Sequence, residues 1–121
     1  MIGRLRRGAA AETRAERWLA GQGLRRHDRN VRCRLGEIDL IMRDGDTFVM
    51  IEVRQRSSAS FGDAAATVTR HKQRRLIAAT RWWLSHNPEH AAAPIRFDVV
   101  AIDGGPADER IQWIKAAFDA E

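Results

Sequence analysis

The sequence predicts a small α/β domain in which a mixed β-sheet is flanked by helices. Three observations support this fold class. With 121 residues, the chain has room for a single domain over residues 1–121. Hydrophobic residues make up 44% of it, enough to form a packed core. Segments with helical periodicity alternate with segments that have the two-residue period of strands, in the order α-β-β-β-α-β-β.

Two segments have the apolar spacing of amphipathic helices. The first is predicted over residues 8–22 and is followed by glycine-rich sequence that stops it. One of its faces is apolar, with Ala11, Ala15, Trp18 and Leu19. The second helix begins at Thr67 or Thr69, either of which suits a helix N-cap. It ends near Ser85, because Asn87-Pro88 follows.

Five segments are predicted to form strands, at residues 31–35, 35–42, 47–54, 95–103 and 111–114. The first is weakly patterned. Asp44-Gly45 is a strong signal for a hairpin turn between the second and the third. Residues 57–66 are predicted to be a loop, and residues 115–121 a tail or a short helix.

The charge distribution indicates an anionic partner. The net charge is +5, and residues 1–34 hold ten arginines against three acidic residues. Arginine binds phosphates bidentately and stacks on bases, so nucleic acid is the expected partner. An arginine-rich composition is almost equally typical of a GC-rich genome and a solvated surface. The candidate nucleic-acid-binding residues are Arg4, Arg6, Arg7, Arg32, Arg34 and Arg56.

The sequence argues against membrane, secretory, zinc and thiol functions. No uninterrupted apolar run exceeds four residues, which excludes a membrane-spanning helix and leaves no secretory signal. The one cysteine, Cys33, cannot form an internal disulfide or a cysteine-rich zinc site. The four histidines have no partners at zinc spacing and are interpreted as surface or loop residues. A cytoplasmic location is the expectation.

Two carboxylates are predicted to meet on one side of the sheet. The two-residue period puts Ile38 and Leu40 on one face of their strand and Asp39 on the other. In the next strand Glu52 and Arg54 share a face, and the hairpin brings Asp39 beside them. Crowded carboxylates need a compensating cation, and Mg²⁺ is held by one or two carboxylates with waters and phosphate oxygens. The alternative, favoured by spacing alone, is a cross-strand ion pair with Arg54 on a solvent-facing sheet.

Two more charged residues are predicted to lie near the same edge of the sheet. Glu12 lies at the edge of the apolar face of the first helix, and Lys72 falls within the apolar stripe of the second. A lysine in a first helical turn can also extend its side chain into solvent. Charged residues from different elements that lean toward one edge are better support for a functional site than any pair.

These residues together resemble the YraN-like family of small bacterial proteins, and the match covers nearly the whole chain. The segments that carry it are Gly36-Glu-Ile-Asp-Leu-Ile41, Phe48-Val-Met-Ile-Glu-Val-Arg54 with Arg56, Phe61-Gly62, Val68 to Lys72 with Arg75, and Arg96-Phe-Asp-Val-Val100, while Gly8-x-x-x-Glu12 and Asn30 also fit. That family looks like a branch of the restriction-endonuclease-like superfamily, near the archaeal Holliday junction resolvases. The superfamily motif is an acidic residue followed by a strand bearing Glu-x-Lys.

The resemblance implies a restriction-endonuclease-like core and a nuclease that uses Mg²⁺ or Mn²⁺ to cut DNA phosphodiesters. It also implies branched DNA as a substrate and a homodimer as the assembly. Carried over by motif, Asp39 and Glu52 are the expected metal ligands, and Glu12 is the helix acid that completes the site. Arg54 and Lys72 are the expected cationic catalytic residues.

Arg54 departs from the superfamily pattern, because it stands where the motif has a lysine. Arginine stays protonated and cannot take a proton from water, but it can stabilise charge on a phosphate. Lys72 would supply the missing lysine if it reaches the site. The departure leaves open a nucleic-acid-binding domain of the same fold with little or no catalysis. A scaffold protein whose carboxylates form salt bridges is a third alternative.

Overall fold

The sheet has five strands in the described residues, and they lie side by side in chain order. The computed structural model describes residues 2–56, 65–104 and 107–120, with side chains from residue 8 onward except that of residue 65. Its elements are α1 (Ile2–Gly21), β1 (Arg25–Cys33), β2 (Gly36–Asp44), β3 (Thr47–Arg56), α2 (Arg70–His86), β4 (Ile95–Asp103) and β5 (Arg110–Phe118). β3 and β4 are parallel and the other neighbours are antiparallel. The predicted α/β class, element order and mixed sheet are therefore confirmed.

Three elements differ from the prediction by more than two residues at one boundary. α1 begins at Ile2 rather than at residue 8, and β1 begins at Arg25 rather than near residue 31. β5 extends to Phe118, so the prediction of a tail or short helix is wrong over residues 115–118. Both misread strands are edge strands in which few residues are buried. These two strands are defined by backbone hydrogen bonds to one neighbouring strand, so an apolar pattern does not show how long they are.

Residues with special backbone roles set the helix ends. Gly23 has a positive φ of 103° after α1, and the N–H of Leu24 bonds the carbonyl of Leu19 at 3.1 Å. This glycine-dependent closure directs the chain into β1. At α2, the Thr69 hydroxyl accepts the N–H of Lys72 at 3.2 Å. Thr69 is thus the N-cap, which resolves the predicted choice between two threonines.

Each face of the sheet is covered by one helix. The α1-side core contains Ala11, Ala15, Leu19, Leu24, Leu40, Met42, Val49, Ile51, Val100 and Ile102. The α2-side core contains Ile38, Ile41, Phe48, Met50, Leu76, Ala79, Trp83 and Phe97. The central strands are apolar on both faces because a helix covers each of them. No helix in the described ranges is long and apolar enough to cross a membrane.

The alternation of β2 breaks at Asp39. Ile38 packs in the α2-side core and Leu40 in the α1-side core, so the prediction that they share a face is wrong. The pairing of β2 with β3 ends at Leu40 and Ile51. Beyond it, Oδ2 of Asp39 accepts the N–H of Val53 at 2.8 Å. A side chain bonds the neighbouring strand at this point, and the regular pleat is interrupted at the residue that carries the carboxylate.

Gly36 allows α2 to approach the sheet closely. A Cβ atom at this position would lie 2.0 Å from the carbonyl oxygen of Arg75 and 2.6 Å from its carbon. Only glycine fits against the helix backbone at this distance. The contact holds the first turns of α2, which carry Lys72, beside the start of β2.

We expect Gly36→Ala to lower the free energy of unfolding by about 1–3 kcal/mol, because the added methyl group meets backbone that cannot rotate away. Gly8→Ala is the matched control. A Cβ at Gly8 meets nothing within 4 Å, and alanine favours a helix by up to about 1 kcal/mol. Urea denaturation measures both variants. An unchanged midpoint for Gly36→Ala would contradict the close contact.

Candidate active site between β2, β3 and α2

The structure brings Asp39 and Glu52 together. They adjoin the last pair of the antiparallel β2–β3 ladder, Leu40 and Ile51, from either strand. Both carboxylates are largely withdrawn from water, and the Glu52 side chain is 15% exposed. The hairpin predicted at Asp44-Gly45 forms and sets this register.

The negative charge of the pair is only partly compensated by neighbouring cations. Burial, and after it the charge of Glu52, raises the pKa of Asp39 to about 7, against the opposing hydrogen bond from Val53. Burial also raises the pKa of Glu52, and the charges of Lys72 and Arg54 lower it in part. A raised pKa means that the folded protein holds the ionised carboxylate at a cost in free energy. A bound cation would remove that cost.

The cross-strand ion pair of the alternative is not observed for either carboxylate in the described structure, because Arg54 contacts the acid of its own strand. Nη1 of Arg54 lies 3.9 Å from Oε2 of Glu52, on the same strand. In the described part of the chain, no Lys, Arg or His side chain forms an ion pair with Asp39. Arg54 therefore lies at the site, as predicted, and leaves Asp39 uncompensated.

A cavity of about 200 Å³ opens beside Glu52, between the sheet and the first turns of α2. Its lining combines acidic and basic side chains: Glu37, Glu52, His71, Lys72 and Arg75. Lys72 is exposed rather than part of the apolar stripe, yet it reaches the cavity and its charge lowers the pKa of Glu52. A larger cavity of about 630 Å³ lies between α2 and β4–β5, away from Asp39 and Glu52.

Three residues of this cavity have no role in the sequence prediction. Arg75 follows Lys72 by three residues, so both lie on one side of α2. His71 is exposed, as predicted, but it also lines the cavity. Glu37 is two residues from Asp39, and its charge raises the pKa of Asp39 and of Glu52. The spacing along α2 is the signal that could have found Arg75.

Glu12 acts on the site through its charge. It is 9% exposed, burial raises its pKa, and the Asn30 and Arg29 side chains lower it in part. Its charge raises the pKa of Asp39 and of Glu52. Among the residues described, no three His, Cys, Asp or Glu side chains lie close enough to hold a metal ion by themselves.

The residues present fit a hard divalent cation held by Asp39 and Glu52. Two partly buried carboxylates with raised pKa values supply the charge. Mg²⁺ is commonly held by one or two carboxylates and fills its other positions with waters and substrate phosphates. A third protein ligand is not required for this kind of site.

The predicted nucleic-acid-binding arginines fall into three groups. Arg32 and Arg34 are exposed on β1 and in the turn after it, and the charge of Arg32 lowers the pKa of Glu12. Arg56 instead pairs with Asp103, with Nε–Oδ1 and Nη2–Oδ2 distances of 2.6 and 2.8 Å. Its side chain is 11% exposed, which disfavours a phosphate contact. The side chains of Arg4, Arg6 and Arg7, and Phe61-Gly62, lie outside the described residues.

Comparison with known proteins identifies the family. The model of a family described as "Uncharacterised protein family UPF0102" matches residues 11–102. A UPF0102 protein of Chromohalobacter salexigens is 54% identical over 95% of this chain and 92% of its own length. The UPF0102 protein YraN of Escherichia fergusonii is 51% identical over 93% of this chain and 83% of its own length. A UPF0102 protein of Klebsiella pneumoniae is 55% identical over 92% of this chain and 84% of its own length. The chain therefore belongs to the UPF0102 family, which includes YraN.

Proposed function

We propose that this protein is a cytoplasmic nuclease that uses Mg²⁺ or Mn²⁺ to cut DNA phosphodiesters on a restriction-endonuclease-like core. The observation that carries the proposal is the partly buried pair Asp39 and Glu52. Both carboxylates have raised pKa values, and Asp39 has no ion-pair partner in the described structure. Buried carboxylates that serve only the fold are normally paired with a cation. Catalytic carboxylates, in contrast, often have shifted pKa values.

The arrangement of elements supports the superfamily resemblance. The acidic residue lies near the start of β2, and the Glu-x-Arg sequence lies toward the end of β3, next to the parallel strand β4. The superfamily motif has the same order, an acidic residue followed by a strand bearing Glu-x-Lys. The cavity lined by Lys72 adjoins Glu52.

Each site residue then has a distinct task. A divalent ion at Asp39 and Glu52 would supply water activation and stabilise charge on the displaced phosphate. Arg54 stays protonated and stabilises developing charge by electrostatics and hydrogen bonds. Lys72 brings the second positive charge from α2 and takes the place of the motif lysine. Glu12 adds negative charge from α1, which strengthens cation binding.

In this proposal, exposed arginines near the start of β2 bind the DNA. Arg32 and Arg34 are exposed close to the start of β2, which carries Asp39. Such contacts bind the backbone with little regard to sequence and weaken with salt. Branched DNA is the proposed substrate and a homodimer the proposed assembly, by resemblance to the resolvases.

The test is a cleavage assay with labelled single-stranded, duplex, flapped and four-way DNA in Mg²⁺ or Mn²⁺. We expect the wild type to cut, with preference for branched substrates, and Glu52→Gln to lose more than about 100-fold of the rate. Glu109→Gln is the matched control, because Glu109 lies outside the cavity at Glu52 and its contact is with Arg14. Cutting by Glu52→Gln at the wild-type rate would refute the proposal.

A DNA-binding domain with little or no catalysis is the second candidate. Arg54 at the motif lysine position favours it, because arginine cannot act as a base. Wild-type protein that binds DNA in a salt-dependent manner without cutting would select this function. Arg54→Lys is then the decisive variant, since a gain of cleavage would trace the inactivity to that one substitution.

A further inference from the structure

Arg29 on β1 is bound to two turns of α1. Its Nη1 donates to Oγ1 of Thr13 at 3.1 Å and to Oε1 of Glu16 at 3.5 Å. Its Nη2 donates to the carbonyl oxygen of Ala9 at 3.0 Å. The side chain is only 19% exposed. A planar guanidinium with several partners has a defined orientation, so Arg29 sets the position of α1 against the edge strand.

The positive charge of the same guanidinium partly offsets the negative charge of Glu12. Nη2 of Arg29 lies 3.5 Å from Oε1 of Glu12, which is ion-pair distance. Oε1 of Glu12 is buried and accepts no hydrogen bond of normal geometry from the described residues. Arg29 directs its shorter hydrogen bonds to Thr13 and Ala9 instead. A buried carboxylate oxygen without a donor is costly unless a ligand uses it.

The strand backbone is specialised where it meets Glu12. Asn30, the residue after Arg29, has a positive φ of 55°, and its side chain interacts with the Glu12 carboxylate and lowers its pKa. Left-handed backbone at a residue other than glycine costs free energy and is concentrated at functional sites. Two consecutive residues of β1 are therefore directed at one acid.

We propose that Arg29 is a positioning residue for Glu12: its hydrogen bonds to Ala9 and Thr13 hold in place the turn of α1 that carries this acid. The proposal rests on the proposed function and adds an edge-strand residue to its machinery. The charge of Glu12 acts on both Asp39 and Glu52. Correct placement of Glu12 therefore strengthens the binding of a cation at that pair.

The test compares Arg29→Met with Arg26→Met. Arg26 is a matched control because it lies on the same strand and its Nε is 3.7 Å from Glu16, but its side chain is 56% exposed. At saturating Mn²⁺ we expect Arg29→Met to cut DNA about 10–100-fold more slowly and to need more Mn²⁺ for half-maximal rate. Arg26→Met should stay within about twofold of the wild type in both quantities. Arg29→Lys, which keeps the charge, should restore part of the rate.

A double-mutant cycle separates positioning from a merely structural role. In a Glu12→Gln background, Arg29→Met should have little further effect on the rate at saturating Mn²⁺. Independent, multiplicative losses would overturn the proposal, as would an Arg29→Met protein that matches Arg26→Met in rate and Mn²⁺ requirement. Melting temperatures confirm that each variant is folded, and Arg29→Lys carries the cycle if Arg29→Met does not fold.

The outcome also separates this inference from the proposed function. A wild type that cuts, with an Arg29→Met variant that cuts equally well, refutes the role of Arg29 alone. A wild type that never cuts refutes the nuclease. In that case calorimetric Mn²⁺ binding replaces the rate: weaker binding by Arg29→Met than by Arg26→Met supports the role of Arg29, and equal binding refutes it.

Discussion

Asp39→Asn is expected to stabilise the metal-free protein at neutral and higher pH while it abolishes metal-dependent cleavage. Folding raises the pKa of Asp39 from 3.8 to about 7, so the folded state holds this proton more tightly than the unfolded state does. Below about pH 4, the Asp39 carboxyl group is protonated in both states and does not lower the stability of the fold. As pH rises from about 4 to 7, the wild type loses stability from this group, and above 7 the loss is complete.

Asparagine removes this loss because it carries no charge, and its side-chain carbonyl can still accept the N–H of Val53. The stability gain should therefore be small at acidic pH and reach the order of a few kcal/mol above pH 7. Urea denaturation in EDTA at several pH values measures it. Asp46→Asn, at an exposed position in the β2–β3 turn, is the control and should change stability by less than about 0.5 kcal/mol.

The metal response of the same variant completes this prediction. Mg²⁺ or Mn²⁺ should raise the melting temperature of the wild type, because a ligand that binds only the folded state stabilises it. The ions should leave the Asp39→Asn melting temperature unchanged. A variant that is less stable than the wild type at pH 8 in EDTA would contradict the account of Asp39. That result would favour a carboxylate that stabilises the fold.

Asp98→Ala is expected to cost about 3–5 kcal/mol of folding free energy, because it breaks a buried ion pair and leaves the other donors unpaired. Asp98 is fully buried in β4. Its carboxylate accepts from Arg96 Nε at 2.9 Å and Nη2 at 3.0 Å. It also accepts from Trp113 Nε1 at 2.9 Å and from the N–H of Ala116 at 2.9 Å.

This carboxylate organises an irregular segment of β5. The register between β4 and β5 shifts around Asp98, and Ala116 has a positive φ of 50°. The hydrogen bond to Asp98 secures that unfavourable backbone. Asp119→Ala, at an exposed position just beyond β5, is the control. Chemical denaturation decides the matter: a loss for Asp98→Ala no larger than that of the control would show that the network contributes little.

The two predictions involve acids of opposite kinds. Asp98 has several donors and a cation, and its contacts stabilise the fold. Among the described residues Asp39 has one backbone donor and a neighbouring carboxylate, and it destabilises the fold when ionised. In the sequence, Asp98 lies between the apolar residues Phe97 and Val99. This position is a signal for a buried polar network, although the sequence prediction gives Asp98 no role.

The sequence by itself determined the features that depend on interactions between residues close together in the chain. Apolar periodicity, the Asp44-Gly45 turn and a threonine N-cap at residue 67 or 69 specify the order of helices and strands, because these effects act over a few residues. The hairpin follows from them, and it alone places Asp39 beside Glu52. The α/β class and the pairing of the two carboxylates could therefore be predicted without coordinates.

Only the tertiary structure decided which charges are compensated. Arg56 is paired with Asp103, 47 residues away, and Arg29 with acids of α1. Gly36 lies against the backbone of α2. The pleat of β2 breaks at Asp39, so that Ile38 and Leu40 pack on opposite faces of the sheet. These features depend on burial and on neighbours distant in the chain, which periodicity does not encode. The same burial raises the pKa of Asp39, and thereby turns two acids in a hairpin into a candidate metal site.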